Sequence, residues 1–151
     1  MNFDEVIAKE GWTKEWEHRG VKCLIRRVPN MLHLCGYVGL PKDHPYVKEH
    51  KDYDYVDVVV HGGVTFSEKI KEYGKDLFFY GFDCAHSGDL VPGNVKNDFD
   101  ALFFDKGTLI YDKAKGYDSY HKTYKDMEYV TKETEKMADQ LIELMNKYGK
   151  L

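Results

Sequence analysis

The sequence predicts an α+β domain, in which an antiparallel sheet packs one face against a long C-terminal helix and a short helix precedes the sheet. Three observations lead to this prediction. The chain has 151 residues, which is the size of a single domain, residues 1–151. Short apolar runs bounded by turn residues occupy much of it, as is typical of strands. The end of the chain instead carries apolar side chains at three- and four-residue steps, which indicates a helix.

The first forty residues predict one short helix and three strands. Asn2, with Glu5 three residues later, resembles the box that begins a helix, and Gly11 would end that helix. The turn residues 18–20 separate two extended runs, which predicts a hairpin. The three predicted strands are residues 12–17, 21–28 and 32–40.

The middle of the chain predicts two buried strands. Residues 58–60 are valines and residues 77–80 are mostly aromatic, and a glycine soon follows each run. These strands would end at His61 and Asp83, and a short helix is predicted between them, within residues 67–76.

Two long stretches are predicted to be largely irregular. Residues 41–57 form a polar loop, and loops of that length in compact domains are often functional. Residues 90–125 contain one small hairpin, in which residues 101–104 pair with residues 108–111.

The C-terminal helix is the clearest element in the sequence. Asp126 or Thr131 can cap its start, and Gly149 would end it. Ile142 and Leu144 widen its apolar stripe beyond what one sheet face requires, which predicts homo-oligomerisation as a dimer or tetramer. The stripe consists of Met127, Val130, Thr134, Met137, Leu141, Met145 and Tyr148.

Polar side chains follow each of the two buried runs, beside glycines. His61 precedes Gly62 and Gly63, and paired glycines let backbone N–H groups face an anion or a ring. Asp83 begins the second cluster. A core strand does not need such chemistry at its end, whereas a binding site does. We therefore expect both clusters to line one concavity.

The bulk composition limits the possible partners. The chain has 22 basic and 26 acidic side chains, a net charge of −4, which argues against a grip on long nucleic acid. No apolar run approaches a membrane span of about 18 residues. Three cysteines without a paired motif are expected to be buried, reduced thiols, which predicts a cytoplasmic protein.

The sequence has 12 tyrosines, which form either core and surface packing or a stacking wall for planar ligands. Tyr117, Tyr120, Tyr124 and Tyr129 crowd the approach to the last helix and leave both alternatives open.

Catalytic alternatives are weaker in the sequence than binding. His61, Asp83, His86 and Asp89 could bind a metal ion, but their spacing matches no strong metal motif. The serines lack the frame of a nucleophile elbow. Arg26 and the adjacent Arg27 would face opposite sides of a strand, so at most one could bind a phosphate in a pocket.

Two motifs resemble a large family of small phage and prophage proteins. Residues 61–66 match the pattern H-G-G-[LV]-T-[YF], and residues 81–89 match G-F-D-C-A-H-[AS]-G-D. The resemblance extends to residues 35–38 and 124–130 and covers most of the chain from residue 32 onward. The hairpin of residues 99–112 is longer than is usual for the family.

The family is similar to the phage anti-CBASS sponges, which sequester cyclic oligonucleotide signals of bacterial immunity without cleaving them. The resemblance implies an immune-evasion protein in the host cytoplasm that needs no cofactor and no metal. The alternatives are a metal-dependent phosphodiesterase and a structural or host-interaction protein. The ligand-binding residues that we expect are Arg26, Tyr37, His61, Gly62, Gly63, Thr65, Asp83, His86, Asp89 and Tyr124.

Overall fold

The computed structural model describes residues 3–95, 98–115 and 118–148. The predicted box residue Asn2, the predicted helix end at Gly149, and Tyr117 lie outside the described residues. Within them, four helices and eight strands follow one another. In chain order they are α1 (Phe3–Glu10), β1 (Thr13–His18), β2 (Val21–Arg27), β3 (Leu34–Pro41), α2 (Pro45–Glu49), β4 (Phe66–Glu68), β5 (Leu77–Asp83), α3 (Pro92–Val95), β6 (Leu102–Asp105), β7 (Thr108–Lys115), β8 (Asp118–Thr123) and α4 (Met127–Lys147).

The strands form two antiparallel sheets, and the α+β prediction is confirmed. Five strands form the main sheet in the order β1-β2-β3-β5-β4, and the other three form a small sheet in the order β6-β7-β8. The short N-terminal helix is present, and the Gly11 N–H closes it on the carbonyl of Ile7. The long C-terminal helix begins at its cap Asp126, whose carboxylate accepts from the Tyr129 N–H.

Different elements pack on the two faces of the main sheet. One face packs on α4, and its core includes Ile25, Val38 and Phe82. Gly36 allows this close approach, because a Cβ at Gly36 would lie 2.4 Å from the Thr134 Oγ1. The opposite face carries a second cluster around Leu24 and Phe79, joined by Ile70 and Tyr73 from the β4–β5 connection.

The run of valines at residues 58–60 is not a strand, so the prediction of a strand ending at His61 is wrong. Among the described strands, none of the main sheet pairs with this run. The side chain of Gln140 on α4 bonds both backbone groups of Val59, at 2.8 Å each. Val59 itself is 71% exposed, while its two neighbours are buried. The segment is therefore extended but held by a helix side chain instead of a sheet partner.

Three other stretches differ from the prediction. The loop of residues 41–57 contains α2 and a 3-10 turn at Tyr53–Tyr55. Residues 67–76 hold part of β4 and a 3-10 turn at Lys71–Tyr73 instead of a short helix. Residues 90–125 contain the predicted hairpin as β6 and β7, and also α3 and β8, which the sequence analysis missed.

Candidate functional site

The segment before His61 is fixed to α4 by two side chains of that helix, Glu133 and Gln140. The His61 N–H donates to the Glu133 carboxylate at 2.9 Å, two residues after the pairing of Val59 with Gln140. These contacts replace the ladder that a strand would have made. They place the imidazole of His61 beside the first turn of α4, where Tyr129 lies.

The His61 imidazole bridges a carboxylate and a phenol. Its Nε2 lies 2.8 Å from the Asp89 Oδ2, and its Nδ1 lies 2.8 Å from the Tyr129 hydroxyl. In a neutral ring, Nε2–H donates to Asp89 and Nδ1 accepts from Tyr129. Both ring nitrogens therefore have partners. Tyr129 is 37% exposed, so this chain of hydrogen bonds runs from a buried carboxylate to the surface.

Asp89 is the buried centre of this network, with 1% of its surface exposed. It accepts from the His86 N–H at 3.0 Å and forms an ion pair with the Lys125 Nζ at 3.0 Å. Burial alone would raise its pKa, but the hydrogen bonds from His61, the His86 N–H and Lys125 together hold the pKa below the usual range. Asp89 is therefore an ionised carboxylate that fixes both motifs.

A second polar pair lies at the end of β5. The Thr65 hydroxyl donates to the Asp83 Oδ2 at 2.9 Å, and the Ala85 N–H donates to Oδ1 at 3.0 Å. The His86 Nε2 lies 3.3 Å from the same Oδ1. Asp83 and His86 are about one-third exposed, but the His86 Nε2 is buried and has no hydrogen-bond partner among the described residues.

The glycine pair brings the two motifs into contact. Gly62 and Gly63 adopt φ of +68° and +83°, a region that favours glycine. A Cβ at Gly62 would lie 2.2 Å from the His86 ring, so only glycine lets this ring sit against the backbone. The rings of His61 and His86 are 6.1 Å apart between centroids. The two motifs therefore contact each other, while their lining of one concavity stays a prediction.

Arg26 and Tyr37 lie on the sheet face away from α4, together with Asp83. Arg26, Cys35 and Asp83 are directly opposite one another on β2, β3 and β5, so their side chains share a face. Two strand spacings separate Arg26 from Asp83, about 10 Å. The Arg26 guanidinium lies over the Tyr37 ring, 4.9 Å from its centroid.

A concavity of about 420 Å³ opens beside this pair. Its wall includes Trp12, which immediately precedes β1 and is 49% exposed. The sequence analysis did not single out Trp12. Its signal is its position next to Thr13, because Thr13 pairs with Arg26. The residues that line the concavity are Trp12, Thr13, Arg26, Arg27, Val28, Pro29 and Tyr37.

Tyr124 is not brought to this place. It is 6% exposed, and its hydroxyl donates to the Glu10 carboxylate and accepts from the Arg27 Nη1 at 2.8 Å. The ring packs edge-on against Phe3. Burial raises the Tyr124 pKa, with the Glu10 bond adding to the effect. Tyr124 therefore anchors α1, and the Arg27 side chain, which is fully buried, belongs to this same structural network.

The site offers few groups for nucleophilic or metal chemistry. Burial raises the pKa of the Cys35 thiol to about 11 and that of Cys23 to about 12, and it raises the pKa of Cys84 as well. Such thiols carry little thiolate near neutral pH. Among the residues that the structure describes, no three histidine, cysteine or carboxylate side chains are arranged to hold one metal ion.

Across residues 3–95, 98–115 and 118–148, no helix combines the length and the apolar character needed to cross a membrane. No protein-family model, curated protein or solved structure matches this chain.

Proposed function

We propose that this chain binds a cyclic oligonucleotide and holds it without cleaving it. In this proposal it is a phage immune-evasion protein that acts as a homo-oligomer in the host cytoplasm and sequesters signals of bacterial anti-phage defence. The resemblance of residues 61–66 and 81–89 to the sponge-like family supports the ligand class. The geometry of the site supports binding over catalysis.

The observation that carries the proposal is that His61, Asp83 and Asp89 already have hydrogen-bond partners within the protein. A general base acts on a substrate proton that lies within hydrogen-bond reach, about 2.6–3.2 Å. Both nitrogens of His61 are engaged, by Asp89 and Tyr129, and the Asp83 oxygens are engaged by Thr65 and a backbone N–H. A network of this kind fixes donors and acceptors in place, which suits recognition.

The accessible groups match the chemistry of a nucleotide ring. A cyclic oligonucleotide carries phosphodiesters, ribose hydroxyls and base edges. Arg26 can bind a phosphate oxygen, since a guanidinium offers paired donors in one plane. Asp83 can accept from a base amino group or a ribose hydroxyl about 10 Å away, two strands across the sheet.

The test is incubation of the purified protein with a panel of cyclic di- and trinucleotides, followed by gel filtration, heat denaturation and chromatography of the released material. Intact nucleotide supports the proposal. Linear products that disappear with a chelator would support the metal-dependent phosphodiesterase instead. Asp83→Ala should weaken retention about tenfold or more, because a hydrogen bond to an ionised group contributes roughly 1.5–3 kcal/mol. Asp43→Ala, at an exposed carboxylate in the β3–α2 turn, is the matched control.

One observation favours a purely structural role as the second candidate. The Asp89 network ties the 61–65 loop, the 83–89 loop and the start of α4 into one unit. If no cyclic nucleotide is retained and Asp89→Asn lowers only stability, the motifs serve the fold alone. Light scattering tests the oligomer separately, because a monomer would give 17.7 kDa.

A further inference from the structure

The concavity beside Arg26 is lined by a half-exposed aromatic side chain, that of Trp12. Trp12 leaves 49% of its surface accessible, although large aromatic side chains usually contribute burial to a domain. The other tryptophan, Trp16, is packed toward α4, and its Nε1–H donates to Glu135 at 3.1 Å. The two tryptophans therefore lie in different environments.

Arg26 adds a positive charge to the same wall. The Tyr37 ring fixes the guanidinium on one side, at 4.9 Å, and no carboxylate among the described residues forms an ion pair with it. Arg27, its neighbour in sequence, is in contrast neutralised by Glu10 at 3.1 Å. A guanidinium carries five N–H donors in one plane, so one that lies over a ring can also bind an anion in that plane, and phosphate fits the donor spacing.

We propose that this concavity is a nucleotide subsite, in which Trp12 stacks on a base and Arg26 binds the phosphate attached to it. Stacking on an aromatic side chain tolerates any base, whereas the guanidinium requires the phosphate. The inference rests on the proposed function for the nucleotide nature of the ligand, and it names the two groups of that ligand that bind here. The volume of about 420 Å³ lies within the range of small-molecule sites, about 300–1,000 Å³.

Tryptophan fluorescence tests the subsite directly, because the chain has only two tryptophans. The Trp16→Phe variant leaves Trp12 as the single reporter, and Trp12→Phe is its matched control. Each is titrated with adenosine 5′-monophosphate to millimolar concentration, and circular dichroism verifies that each is folded. We expect saturable quenching in Trp16→Phe and none in Trp12→Phe. Adding Arg26→Gln to Trp16→Phe should weaken the binding about tenfold or more.

Two fragments of the probe separate the two contacts. Adenosine lacks the phosphate and ribose 5-phosphate lacks the base, so both should bind more weakly than the intact nucleotide. Absence of quenching by the nucleotide in Trp16→Phe would overturn the subsite, and so would equal affinity for adenosine.

The outcome is distinguishable from that of the proposed function. Retention of a cyclic oligonucleotide without any change in Trp12 fluorescence would overturn the subsite and leave the proposed function standing. Quenching by the mononucleotide without retention of any cyclic oligonucleotide would support the subsite and contradict the proposed function.

Discussion

Gly62→Ala is the sharpest perturbation of the candidate site, and Gly63→Ala is its matched control. Both glycines have positive φ, at +68° and +83°. A left-handed backbone costs a non-glycine residue roughly 1–2 kcal/mol, so both variants should lose that much stability. For a domain of this size, the loss corresponds to a melting temperature lower by about 2–8 °C.

The two variants differ in what the new methyl group meets. At Gly63 nothing lies within 4 Å of the added Cβ, whereas at Gly62 the His86 ring would lie 2.2 Å away. The ring must therefore rotate away and give up its 3.3 Å contact with Asp83. That pair is about one-third exposed, so its loss adds only about 0–1 kcal/mol.

The assay consequently combines stability with a local readout. Thermal unfolding should give similar losses for the two variants, while the NMR signal of the His86 ring should move only in Gly62→Ala. Retention of a cyclic oligonucleotide should also fall only in Gly62→Ala, if His86 contacts the ligand. An unchanged His86 signal in Gly62→Ala, or an equal shift in both variants, would refute the claim that this glycine exists to admit the ring.

Three further predictions concern the core and its titrating groups. Gly36→Ala should destabilise the protein by about 1–3 kcal/mol in denaturant unfolding, because its Cβ would press on the buried Thr134 at 2.4 Å. Asp89→Asn should lower stability at pH 7 by roughly 1.5–3 kcal/mol, since it weakens hydrogen bonds to an ionised group. Folding lowers the pKa of Asp89, so its contribution to the free energy of unfolding is fully present above the unfolded carboxyl pKa of about 3.9. That contribution is lost as the pH falls through the folded pKa. Asp89→Asn should therefore lose stability less steeply than the unmodified protein below about pH 4. The three buried thiols should not react with an aromatic disulfide at pH 8 in the native protein and should all react in guanidinium; fast native reaction would contradict their raised pKa values.

The sequence by itself determined the elements whose pattern is local. The period of apolar residues predicted α4, and of the two candidate caps, Asp126 and Thr131, the structure has Asp126 at the helix start. The aromatic run with its closing polar residues determined β5. The glycine pair at Gly62 and Gly63 predicted positive φ, which both residues adopt, whereas the close approach of the His86 ring to Gly62 comes from the tertiary fold.

The tertiary structure decided whatever depends on a partner that is distant in sequence. A run of valines has the backbone preference of a strand, but a strand also needs a partner strand for its backbone hydrogen bonds. At Val59 the side chain of Gln140 on α4 makes those bonds instead. Arg26 and Arg27 differ only in which face of β2 they occupy. That face was set by pairing with Cys35 and Leu34, and it made one arginine accessible and buried the other.

Tyr124 illustrates the same limit for a single side chain. Its type and its place in the motif are compatible both with stacking on a ligand and with anchoring the core. Its hydrogen bonds to Arg27 and Glu10, which are 97 and 114 residues away in the chain, place it in the core. The local pattern thus supplied helices, strands and turns, while burial and long-range hydrogen bonds determined which polar groups reach the solvent and which hold the fold together.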